Sequence, residues 1–100
     1  MKIILEIYDI PLAEISEDFS ITELEENISS AKNEYPLEMR FYKKGLSGLL
    51  NPLETIVGCV EREDVKKEAG IKETDSLFEK LYKLAGLNIM PINGYSIKQA

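Results

Sequence analysis

The sequence predicts a single α+β domain of about three helices and a small antiparallel or mixed sheet that closes in a C-terminal β-hairpin. Three observations carry that prediction. Residues 2–8, KIILEIY, are crowded with β-branched and aromatic side chains. Two helical patterns flank Gly70. Asn93-Gly94 sits between two short alternating runs, and this dipeptide suits a turn needing positive φ at both central residues.

In chain order, 2–8 reads as a well-buried strand. Pro11 is expected to end it, because proline offers no ladder donor and restricts its predecessor. Residues 12–19 read as a mixed connector. Ser20-Ile21-Thr22-Glu23 has the spacing of a capping box, with Ser20 as N-cap. The helix it opens runs to about Lys32, with Leu24, Ile28 and Ala31 on its inner face and Glu23, Glu25 and Glu26 favourably placed in the first turn. After Pro36, alternation of Leu37, Met39 and Phe41 with Glu38, Arg40 and Tyr42 predicts a half-buried strand over 37–43. A glycine turn follows, then a short helical turn at Leu46–Leu50. Gly45-x-x-Gly48 beside Lys43 and Lys44 also matches the spacing of a backbone-clamping GXXG loop. Glu54–Val60 is a further strand candidate, with Gly58 marking a bulge or close approach.

From Glu61 a helix runs to Ala69, with Val65 and Ala69 inward and Gly70 as a left-handed stop. Ile71 is an apolar plug, and Thr74 is the expected N-cap of the next helix. That helix extends through Ala85 to Gly86. Leu77, Phe78, Leu81, Leu84 and Ala85 form one arc; Asp75, Ser76, Glu79, Lys80 and Lys83 form the other. In the hairpin beyond, Ile92 faces Tyr95 and Met90 faces Ile97, and Pro91 marks an edge strand.

Composition narrows the chemistry. One hundred residues, 44% apolar and 30% charged, suit one soluble domain with a single core. No apolar run reaches the roughly 18 residues that span a bilayer, and the N-terminal residues lack a signal-peptide pattern. A cytoplasmic location is expected. The chain has no histidine and one cysteine, Cys59, which is best explained as a small buried residue. Histidine-activated nucleophiles, histidine-ligated zinc and an intrachain disulfide are thereby excluded. Carboxylates such as Glu61, Glu63 and Asp64 could serve acid–base chemistry or hold a metal, but their spacing on a surface helix is better explained by solubility and i,i+4 pairing, so a non-enzymatic protein without cofactor or metal is expected.

The net charge of −6 is uneven. Residues 1–60 hold 11 acidic and 5 basic groups, whereas residues 61–100 hold 7 of each. The chain therefore divides into an acidic α/β part and a neutral helix-turn-helix plus hairpin. An acidic protein repels phosphate at long range, which disfavours non-specific nucleic-acid binding.

The stretch VKKEAGIKETDSLFEKLYKLAGL resembles the two-helix core of winged helix-turn-helix DNA-binding proteins. Val65, Ala69, Gly70 and Ile71 match the inner face, turn glycine and plug. Thr74, Leu77, Leu81, Leu84 and Gly86-Leu87 match the recognition helix and its exit into the wing. The resemblance covers residues 61–99. Gly86 arrives about a residue early, and the strands predicted at 2–8 and 37–43 are additions to the family pattern.

This resemblance implies a small, dimeric regulator, or an accessory factor of a plasmid or phage, that binds double-stranded DNA. Asp75 and Glu79 cancel Lys80 and Lys83 on the outer helix face. The contacts it implies are therefore Lys72, Thr74, Lys80 and Lys83, with Asn93, Tyr95 and Lys98 in the wing. The alternative, taken from size and acidity, is a protein-binding module acting on a basic partner, such as an immunity protein, an antitoxin or a phage-encoded inhibitor.

Overall fold

The computed structural model describes residues 1–43, 56–87 and 91–100. The fold is α+β. Four strands, β1 (Lys2–Ile7), β2 (Ile10–Ser16), β3 (Ile21–Glu23) and β4 (Tyr95–Gln99), form an antiparallel sheet in the order β3-β2-β1-β4. The helices are α1 (Glu25–Glu34), α2 (Pro36–Met39), α3 (Glu63–Ala69) and α4 (Leu77–Ala85), and residues 56–59 are also helical.

The first strand lies where KIILEIY predicts, but Pro11 does not end the sheet. The chain reverses at Tyr8-Asp9, and 12–16, read as connector, belong to β2. Register shifts after Leu5, so that Leu5 faces Ala13 and Glu6 faces Pro11, with Leu12 as the extra residue. Proline is tolerated beside such a bulge, and β3 pairs only with residues 13–15, leaving β2 unpaired on that side at Pro11. The reversal uses positive φ at both turn residues, 43° at Tyr8 and 69° at Asp9. Neither dipeptide position carries the glycine that would have announced it.

The expected capping box is absent as well. Residues 21–23 pair with β2, and α1 starts at Glu25 with Leu24 as its cap and no side-chain cap bond. Leu24 instead donates its amide to the Leu12 carbonyl at 2.9 Å, tying the helix start to the sheet.

Residues 37–39 of the predicted strand belong instead to the helix α2. Pro36 occupies the first turn, where its fixed φ suits a helix and its missing N–H costs nothing. The alternation that suggested a strand does not sort the side chains: Met39 is buried, but Leu37 is 68% and Phe41 40% exposed. Residues 56–59, expected in a strand, are helical. Ile56 and Val60 are buried four residues apart, a spacing that puts both on one helical face. Residues 44–55, which hold the GXXG spacing and the turn expected at Leu46–Leu50, lie outside the described residues, as does Met90.

The α3–α4 pair follows the prediction closely. Gly70 has φ 72° and ψ 30°, and Ile71 is buried behind it. The cap of α4 is Ser76, which accepts from the Glu79 amide at 3.1 Å, in place of Thr74. Phe78, Leu81, Leu84 and Ala85 are buried, whereas Leu77, assigned to the same arc, is 40% exposed.

One apolar cluster joins the acidic and neutral halves. Ile3, Leu5 and Ile7 of β1, Ile15 of β2 and Tyr95 and Ile97 of β4 meet Ile28, Ala31, Phe78, Leu81 and Leu84 from the helices. These strand residues alternate, so Ile4 and Glu6 of β1, Glu14 of β2 and Ser96 and Lys98 of β4 lie on the opposite sheet face.

The C-terminal turn forms as predicted, with φ 53° at Asn93 and 86° at Gly94 and an Ile92–Tyr95 bridge. Its second arm, β4, is hydrogen-bonded along β1 and is a strand of the main sheet. Gln99 reinforces this position, its amide donating to the Tyr82 carbonyl at 2.9 Å.

Candidate interaction surface

The geometry of α3, Gly70 and α4 sets the positions of the basic residues expected at a DNA surface. Lys83, in the last turn of α4, reaches back across the inter-helix turn. Its Nζ lies 2.6 Å from Asp75 Oδ2 and also donates to the Gly70 carbonyl at 3.2 Å. Asp75 accepts the Lys72 amide at 2.9 Å as well. That amide, and then Lys83, hold the Asp75 carboxyl below its ordinary pKa. Lys80 Nζ lies 3.4 Å from Glu61 Oε1.

Lys66 is the hub beneath them. Its ammonium contacts Glu73 at 2.6 Å, Glu61 at 3.5 Å and Glu63 at 3.8 Å, with its side chain 11% exposed. Together with Lys67 and Ile71, three of these residues line an open depression of about 410 Å³. The acid group there already has its cation.

Lys98 is held on the far side of the sheet. Its Nζ lies 3.1 Å from Asp9 Oδ1 and 3.0 Å from Glu6 Oε1. Glu6 first, then Asp9, keep the ammonium above its usual pKa. Glu6 is itself 7% exposed opposite Ser96, so Lys98 compensates a carboxylate with little water around it.

The remaining expected contacts are scattered. Tyr95 is 1% exposed, and its hydroxyl donates to the Glu38 carbonyl at 2.7 Å. Thr74 and Lys72 are exposed in the inter-helix turn, and Asn93 is exposed at the hairpin tip. The structure brings Lys83, Lys72 and Asp75 together. Asn93, Tyr95 and Lys98 belong to the opposite part of the sheet, beside the β1–β2 turn.

That second region contains residues the sequence did not single out. The Tyr8 amide donates to the Gly94 carbonyl at 2.9 Å, and its ring lies so close that a Cβ on Gly94 would meet Tyr8 Cε2 at 2.7 Å. The same ring packs on Tyr35, with centroids 4.5 Å apart and planes 40° apart. Both left-handed turns and the α1–α2 junction thus meet at one corner. Tyr8 is 43% exposed there. Burial, followed by Glu34, Tyr8 and Glu38, raises the pKa of the Tyr35 phenol. A tyrosine at positive φ is an uncommon choice, and no turn motif in the sequence points to it.

The N-terminal half presents further carboxylates. Glu25 and Glu26 are exposed in the first turn of α1 and, with Glu23, Leu24 and Asn27, line an open depression of about 370 Å³. Tyr42 donates its hydroxyl to Glu23, and burial together with that bond pushes the phenol pKa up.

Comparison with protein-family models, curated proteins and solved structures gives no match. Among the described residues, no group of three or more acidic or cysteine side chains is placed to hold a metal ion. None of their helices is long and apolar enough to cross a membrane.

Proposed function

We propose that this chain is a small acidic protein-binding module, acting by association rather than catalysis on a partner with a basic surface. The observation that carries it is the fate of Lys80, Lys83 and Lys98. Each ammonium lies against carboxylates of its own chain, on Glu61, on Asp75 and on Glu6 with Asp9. To engage phosphate they would have to abandon these partners and leave the carboxylates facing a polyanion. A basic protein meets the opposite situation. The acidic groups of residues 1–60 outnumber the basic ones by 11 to 5, and such a field speeds encounter with a positive surface. An immunity protein, an antitoxin or a phage-encoded inhibitor would fit this mode of action.

One observation favours the second reading, a winged helix-turn-helix that binds DNA as a dimer. The order α3, left-handed Gly70, plug Ile71 and capped α4 is that of the family core, with Lys72 and Thr74 exposed in the turn. Against it, the strand that would be the outer arm of a wing is paired with β1.

Parallel assays separate the two. Affinity capture from the native host tests for a basic protein released by salt. A gel shift against host, plasmid and phage fragments tests for DNA. Recovery of no protein partner, together with a specific DNA complex at micromolar concentration, would reverse the order of the readings.

A further inference from the structure

We propose that the corner formed by Tyr8, Tyr35 and Leu37 is the docking surface for this basic partner, receiving an arginine or lysine side chain with an adjoining apolar residue. The inference rests on the acidic-module reading and gives it a place on the molecule. Four independent features converge there.

The first is exposed apolar area of the kind that anchors interfaces. Tyr8, whose ring packs on the half-buried Tyr35, is 43% exposed, and Leu37, two residues after Tyr35 in the first turn of α2, is 68% exposed. Rigid aromatic rings gain contact area at small entropic cost and are enriched at binding hot spots.

The second is rigidity. Tyr8 is fixed by the hydrogen bond its amide donates to the Gly94 carbonyl and by its ring contacts with Gly94 and Tyr35. Tyr95 pins the adjoining α2 through the Glu38 carbonyl. A surface held in this way loses little freedom on binding.

The third is the backbone at Tyr8. Its φ of 43° opposes the preference of an aromatic residue, where asparagine would serve the turn better. Local rules broken without local gain tend to mark functional positions. The ring partly repays the strain by covering Gly94, yet much of it stays in solvent.

The fourth is charge. Glu34 and Glu38 flank Tyr35, and no lysine or arginine among the described residues forms an ion pair with either. Asp9 borders Tyr8, with Lys98 sharing its charge. The nearest arginine in sequence, Arg40, lies 5.0 Å above the Phe41 ring. Aromatic faces rimmed by carboxylates favour a cation both through the ring quadrupole and through direct pairing.

The test is a titration of the ¹⁵N-labelled full chain with a capped peptide of alternating arginine and leucine, and with its glutamate-for-arginine counterpart. The arginine peptide is expected to give saturable shifts centred on Tyr8, Tyr35, Leu37 and Gly94, and the glutamate peptide none. Tyr8→Asn, which suits the turn and is expected to retain the parent spectrum away from the corner, is expected to weaken binding about ten-fold. Leu37→Ala and Glu34→Gln, both at exposed positions, are expected to weaken it by smaller factors. Saturable binding mapped to Glu25 and Glu26 instead, indifferent to Tyr8→Asn, overturns the corner but leaves the acidic module standing. No saturable binding of the arginine peptide anywhere overturns both. Shifts at the corner that follow protein concentration without peptide assign it to self-association and also overturn the proposal.

Discussion

Lys83 Nζ stands 2.6 Å from Asp75 Oδ2, so the last turn of α4 is tied to the turn that precedes its first. The residue that a groove-binding helix would offer to phosphate serves here as an internal strut. Asp75 is the better-shielded member of the pair, its side chain 8% exposed against 33% for Lys83.

The Asp75 carboxyl is held below its ordinary pKa by the Lys72 amide and then by Lys83. Its folded value lies below its unfolded value. The stability it contributes is therefore present above the ordinary carboxylate range and lost as pH falls through the folded value. Asp75→Asn keeps a side-chain acceptor for the Lys72 amide but removes the titration. Thermal melts between about pH 5 and pH 2 should show a shallower loss of Tm in the variant than in the parent.

At the alkaline end Tyr95 plays the corresponding part. Burial first, and Glu38 second, push its phenol up to about 12. Here the folded pKa exceeds the unfolded one, so the contribution is intact below about pH 10 and lost as pH rises toward 12. Phenolate absorbance should show late ionisation coupled to unfolding. Tyr95→Phe should remove one late-titrating group and cost about 0.5–1.5 kcal/mol in urea unfolding, because the Glu38 carbonyl loses one donor and keeps the Phe41 amide.

Gly94 is constrained twice, by φ 86° and by the Tyr8 ring 2.7 Å from any added Cβ. Gly94→Ala should destabilise by about 1–2 kcal/mol from the backbone alone, with a further cost for moving the ring. In the Tyr8→Asn background only the backbone part should remain. A double-mutant cycle by chemical denaturation should therefore show clear non-additivity.

Two leucines of α4 that look equivalent on a helical wheel should behave differently. Leu84 is 0% exposed, and Leu84→Ala should cost about 2–5 kcal/mol. Leu77 is 40% exposed, and Leu77→Ala should fall within about 1 kcal/mol. Equal losses in denaturant midpoints would contradict the observed seating of the helix.

What could be read in advance follows a physical division. Gly70, Asn93-Gly94 and the Phe78, Leu81, Leu84 stripe declare themselves locally, since each reflects a backbone need or a helical period. Pro11 and Pro36 misled because a proline's meaning depends on its neighbours. One sits by a bulge where β3 has ended, the other at the start of a helix. The Tyr8-Asp9 reversal carries no turn residue in its first position, so β2 went unseen with it. The pairing of Lys98 with Glu6 and Asp9 joins opposite ends of the chain and depends on sheet register, which no local pattern encodes. The neutral outer face of α4 follows from charge counting, and the structure adds that Lys83 pairs with Asp75 and Lys80 with Glu61.

The central claim is that the net negative charge of this molecule, concentrated in residues 1–60, is directed at a protein. The most direct test is affinity capture from the native host using the parent chain and a Glu26→Gln, Glu34→Gln variant as parallel baits, with elution by a salt gradient and both protein and nucleic acid assayed. A basic protein should be retained by the parent, released as salt rises, and held more weakly by the variant. Retention of a specific DNA fragment, with no basic protein and no difference between the baits, would contradict it.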